Sequence, residues 1–230
     1  MKRNNTIYAI TIMALMIAIM LIMGFTPLGT IQAGVITITL LGIPVAICAC
    51  VFGPYMGLIA GTIWGTISLI QGVTGIDPLG PVLMQYSLIG LIVTCYIPRM
   101  LAGFLVGLIF DANRLWDKKG RANAIICSLL ISIFNTAFFM TSFCLFFFNV
   151  PEVQSGVQAM VGKYGSIAAN PFFYVILAIG INFLVEVLVN GFIGSACIFG
   201  INLASRKMNV TSPFPHFFER KKLNTETSDR

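Results

Sequence analysis

Charge is what this sequence has least of. Aspartate, glutamate, lysine and arginine make up 10% of its residues, against about 25% in an ordinary soluble domain. No charged residue occurs between Arg3 and Asp77. A soluble fold could not cover its surface with so few charges. A bilayer's hydrocarbon core, ~30 Å thick, takes one helix of about 20 apolar residues, so the uncharged stretch alone has room for three crossings. Histidine is scarce too: His216 is the single one, in the polar C-terminal segment, which excludes Ser/His/Asp and Cys/His nucleophile arrangements. Cys48, Cys50, Cys95, Cys127, Cys144 and Cys197 fall inside apolar runs and form no C-x-x-C pair. They read as small packing residues, not metal ligands. A G-x-x-x-x-G-K-[ST] phosphate loop is missing, since Gly162-Lys163 lacks the upstream glycine and the following hydroxyl residue. The chain is expected to be no enzyme and to carry no cofactor or metal.

What is present is apolar, at 57% of residues. The first run, from residue 7 to 25, exceeds the ~7–15 residues of a signal-peptide core and reads as a retained helix. Helices are expected at about residues 7–26, 40–52, 55–71, 86–110, 122–149 and 171–205. The second is short for a crossing, and the β-branched alternation of Thr37 and Thr39 before it reads as extended chain. Such backbone within a membrane must be buried against protein. Residues 72–84, with Gly75, Pro78, Gly80 and Pro81, read as an irregular loop. The expected fold is therefore an all-α membrane protein of six transmembrane helices over residues 1–205, with a basic tail at 206–230.

The basic residues orient it. With the N-terminus inside, Lys2, Arg3, Arg114, Lys118, Lys119, Arg121, Arg206, Lys207, Arg220, Lys221, Lys222 and Arg230 are all inside, twelve of the fourteen. Lys163 alone lies outside and Arg99 lies within a helix. That asymmetry predicts cytoplasmic termini in a plasma membrane. It also accounts for the net charge of +6 without a nucleic-acid partner.

Two ionisable residues lie inside expected helices, Arg99 and Glu186, and intramembrane charge is a functional signal. Counted from the outer helix ends, Arg99, Glu186 and Asn135 all fall about 20 Å deep. Asn182, Glu186 and Asn190 recur every four residues. Ser128, Ser132 and Asn135 with Thr136 form a second stripe, and Trp64, Ser68 and Gln71 a third. Two readings stand side by side. The stripes could line a ligand cavity with a guanidinium suited to a carboxylate. Alternatively, Arg99 and Glu186 pair, and the rest are interhelical hydrogen bonds.

Small residues recur at four-residue spacing: Ala14 and Ala18, Gly57, Gly61 and Gly65, Gly103 and Gly107. Their usual meaning is close helix packing, although a pair on an outer helix can dock a partner. In the outer loop Val153, Val157, Met160, Val161 and Tyr164 have helical spacing, either covering the pocket or packing on the headgroup region.

A resemblance can now be stated on particular residues. Ala14-Leu15-Met16-Ile17-Ala18 is similar to the A-x-x-x-A docking motif of the substrate-binding S components of energy-coupling factor (ECF) vitamin transporters. ITITLLGIPVAI (residues 36–47), FGPYMGLIAGTIWGTISLI (residues 52–70), Ile97-Pro98-Arg99, Asn135-Thr136 and the Asn182-to-Asn190 stripe resemble the pantothenate-type branch. The resemblance implies a six-helix vitamin-binding subunit that works with a transmembrane scaffold subunit and two ATPase subunits. It implies that Arg99 holds the pantothenate carboxylate and that Asn135 binds the amide or a hydroxyl. Trp64, Gln71, Asn182 and Glu186 are the other pocket candidates, and Ala14 and Ala18 form the dock. An S component for another vitamin, or a self-contained secondary transporter with Glu186 as the ion-coupling carboxylate, are the alternatives.

Overall fold

The computed structural model describes residues 2–26, 29–33, 36–77, 79–113 and 121–207. The expected tail from residue 208 onward, and the basic connection at Arg114, Lys118 and Lys119, lie outside the described residues. Among the described residues the chain is helical except for a small hairpin. The elements run α1 (Lys2–Phe25), β1 (Thr30–Ala33), β2 (Ile36–Thr39), α2 (Gly42–Phe52), α3 (Pro54–Thr74), α4 (Leu79–Tyr86), α5 (Leu88–Asn113), α6 (Arg121–Phe147), α7 (Pro151–Tyr164) and α8 (Pro171–Lys207). A 3-10 turn, Ser166–Ala169, precedes α8.

Five segments are long and apolar enough to cross a membrane: Thr6–Phe25, Pro54–Thr74, Leu88–Asn113, Ala122–Phe147 and Phe183–Ala204. Their outward faces stay apolar, with Phe192 80% and Leu145 76% exposed. In water such a surface would aggregate, but against lipid tails it is the ordinary state. The expected second helix differs from the other five. α2 has 11 residues, all buried, and at ~1.5 Å per residue it is about 17 Å long. It is a core element, packed on α3, α5, α6 and α8. The described residues thus hold five long apolar helices where the sequence expectation had six crossings, and α2 is the expected one that is too short.

That hairpin is the extended chain the β-branched alternation pointed to. β1 and β2 pair antiparallel, Thr30 opposite Thr39 and Ala33 opposite Ile36. Strand pairing satisfies backbone groups that would otherwise be unpaired in an apolar setting. At the other end of α2, Gly53 turns the chain with φ +94 while its N–H caps Ala49 O at 3.1 Å. Pro54 then opens α3, where its missing N–H costs nothing.

The loop expected to be irregular is mostly helix. α3 runs on to Thr74 and α4 starts at Leu79. Gly72 and Gly80 touch backbone to backbone, which lets α4 fold back on α3. Ser87 separates α4 from α5, and its Oγ accepts the Gly90 N–H at 2.9 Å as an N-cap.

The glycine stripes of α3 and α5 face each other. A Cβ on Gly57 would strike Gly103 O, one on Gly103 would strike Gly57 O, and one on Gly61 would strike Arg99 O. The two helices thus approach to backbone contact, the packing meaning of small-residue spacing. α1 does the reverse. Ala9, Met13, Met16 and Met20 are buried, whereas Ala14 and Ala18 are exposed.

Candidate ligand-binding site

The site begins with a helix defect. Pro98 sits inside α5 and has no N–H to give to the carbonyl four residues back. That carbonyl belongs to Thr94, and Arg99 Nη1 donates to it at 2.6 Å. Ile97-Pro98-Arg99 thus vacates an acceptor and fills it with the next side chain. The guanidinium lies over two aromatic rings, 5.6 Å from the Trp64 centroid and 5.7 Å from that of Phe139, within cation–π range. Trp64 comes from α3 and is 2% exposed. Phe139 comes from α6, one turn beyond Asn135.

The opposite wall is α8. The Glu186 carboxylate faces the backbone N–H of Thr39 at the end of β2. One turn on, Asn190 Nδ2 donates to Thr39 O at 3.2 Å and to Ser132 Oγ of α6 at 2.9 Å. Gly42, the first residue of α2, closes the ring. A Cβ there would lie 3.4 Å from Asn190 Nδ2 and 3.7 Å from the Trp64 indole.

Several buried polar atoms around this ring have no hydrogen-bond partner: Thr94 Oγ1, Arg99 Nε, Ser128 Oγ, Asn135 Oδ1, Glu186 Oε1 and Asn190 Oδ1. A buried donor or acceptor left unmet costs about 1–3 kcal/mol, and native interiors leave few of them. Six such atoms on three helices are the feature that polar groups of a ligand would answer.

The six sequence-predicted residues separate accordingly. Arg99, Asn135 and Glu186 carry unmet polar atoms, and Trp64 supplies a wall beneath Arg99. Gln71 is occupied, its Nε2 donating to Gly24 O and tying α3 to α1. The side chain of Asn182 lies outside the described residues. The interhelical-bond reading holds for some of these residues. Asn190 with Ser132, and Gln71 with Gly24, are interhelical bonds, while Arg99 and Glu186 face backbone groups. Sequence reasoning missed Thr94, Phe139, Gly42 and the Thr39 peptide. Thr94 was findable as the residue four before Pro98.

α7 is the helix that the spacing from Val153 to Tyr164 predicted, with Val153 and Val157 buried. Val153 and Val157 join Leu83 of α4, Leu91 of α5 and Phe143 and Phe147 of α6 in one apolar cluster. Tyr86 Oη donates to Glu152 Oε1 at 3.1 Å, linking α4 to α7. That bond, with some desolvation, raises the Tyr86 phenol above its ordinary pKa.

Fold and site together define a multi-pass helical membrane protein with a buried, incompletely satisfied polar centre. The chain belongs to a family of transporter subunits: residues 8–196 match the model of the ECF transporter, substrate-specific component. That is a family of substrate-specific transporter components, not of enzymes. The pantothenate transporter PanT of Leuconostoc mesenteroides subsp. mesenteroides is 30% identical over 116 residues, 48% of this chain and 54% of that protein. The chain thus matches about half the length of this curated relative.

Proposed function

We propose that this chain captures pantothenate for an ECF-type importer of a prokaryotic plasma membrane. The observation that carries the reading is the set of unmet buried polar atoms on Arg99, Asn135 and Glu186. Arg99 receives the vitamin's carboxylate, Asn135 its amide or a hydroxyl, and Trp64 packs against the chain between them. The similarity to PanT supports the choice of vitamin. Both termini are cytoplasmic, as the basic residues suggest, and α2 with the hairpin makes the sixth crossing. Uptake then requires a scaffold membrane subunit docked on Ala14 and Ala18 and two ATPase subunits, which supply the nucleotide chemistry this sequence lacks.

The test is thermal unfolding of the purified protein in detergent. Pantothenate at 100 times its Kd stabilises the folded state by about 2.7 kcal/mol. Arg99→Ala weakens binding at least ~30-fold, as expected for truncating a buried charge–charge contact at about 2–5 kcal/mol. Stabilisation by a different vitamin and none by pantothenate overturns the ligand and keeps the family. Uptake that persists without the ATPases favours a self-contained transporter.

A further inference from the structure

Opposite charges inside an apolar bundle ordinarily close on each other, because an unpaired one is costly. Arg99 and Glu186 are near enough to interact electrostatically, yet each faces a backbone group. Arg99 Nη1 is taken by Thr94 O at 2.6 Å, the acceptor that Pro98 vacates. The Glu186 carboxylate faces the Thr39 N–H. The same residue is fixed through its carbonyl, since Asn190 Nδ2 donates to Thr39 O. Two α8 residues one turn apart therefore face the N–H and the carbonyl of a single hairpin residue, Thr39. Arg99 Nε is left as a buried donor with no partner, and Glu186 Oε1 as a buried acceptor with no partner.

A carboxylate oxygen accepts hydrogen bonds and repels a second anion. With the ligand's carboxylate at Arg99, whatever reaches Glu186 must be a donor. We propose that Glu186 is the specificity-determining residue for a hydroxyl at the end of the ligand remote from its carboxylate. The substrate class is then a small hydroxylated carboxylate with an uncharged tail, and simple branched acids are excluded. This inference rests on the proposed function, in which Arg99 takes the carboxylate.

The experiment measures Kd for two ligands on the full chain in detergent. One is pantothenate. The other is N-(3,3-dimethylbutanoyl)-β-alanine, which keeps the carboxylate, amide and branched tail and lacks both hydroxyls. Wild type prefers pantothenate by about 100-fold or more, as sites that hydrogen-bond a ligand hydroxyl do. In Glu186→Ala the preference falls below about 10-fold, while the analogue binds as well as before or better, because no acceptor is left unmet. Glu186→Gln keeps the shape and replaces a charged acceptor by a neutral one. Its preference falls about 10-fold, and it carries the test if the alanine variant does not fold. A merely structural role for Glu186 would weaken both ligands alike. If Arg99 is still required and the preference is the same in wild type and both variants, this inference is overturned and the proposed function stands. No binding of pantothenate by wild type overturns both.

Discussion

Arg99 is placed by its neighbour. The Thr94 carbonyl is available only because Pro98 cannot bond it, so a helix-breaking residue becomes a device for orienting a charge. In Pro98→Ala the ladder closes on Thr94 O and the guanidinium loses its anchor. The expected result has two opposite signs. Thermal stability is unchanged or higher, since proline in a helix interior costs about 3 kcal/mol. Pantothenate affinity falls, and the preference for pantothenate over panthenol, in which an alcohol replaces the carboxylate, shrinks with it. Titration of both ligands against wild type and Pro98→Ala checks this. An unchanged preference would mean that the Trp64 and Phe139 rings alone fix the guanidinium.

At the level of elements, the α3–α5 contact decides where that anchor stands. Gly61 meets the backbone of Arg99 and Met100, and backbone cannot swing aside as a side chain can. Gly61→Ala forces the helices apart. It should destabilise the protein by about 1–3 kcal/mol, as overpacking does, and weaken pantothenate binding because Arg99 rides on the displaced strip of α5. Gly162 in α7 has nothing within 4 Å. Gly162→Ala should be neutral or stabilising by up to ~1 kcal/mol and leave binding alone. Melting temperature and Kd measured on both variants separate a packing effect from a general intolerance of alanine.

For the whole molecule, the telling surface is α1. Its methionines face inward while Ala14 and Ala18 face outward, so this small-residue pair serves no packing within the described chain. Ala14→Trp with Ala18→Trp should leave pantothenate-dependent stabilisation as in wild type and abolish both co-purification with the scaffold subunit and ATP-driven uptake. Intact assembly in the double variant would count against the dock. Loss of ligand binding would mean that α1 reaches the site through Gln71 and Gly24.

Hydropathy and charge spacing by themselves determined the helical membrane class, the five long segments, the extended chain before α2 and the helix α7. These are local properties. A run of ~20 apolar residues has few alternatives to a helix across a bilayer, and the period of Val153, Val157 and Tyr164 has one amphipathic reading. The sequence also singled out Arg99, Asn135 and Glu186, because polarity inside an apolar run shows without coordinates. It mistook residues 72–84 for an irregular loop, since the Gly72–Gly80 contact that admits α4 is not a propensity. It could not say that Gln71 is taken up by Gly24, that Phe139 covers the guanidinium, or that Arg99 bonds the Thr94 carbonyl while Glu186 faces Thr39. Which unpaired atom a side chain meets depends on how separate helices are placed. Only the tertiary structure fixes that placement, here through backbone contact at the glycines and through one hairpin residue, Thr39, held by α8.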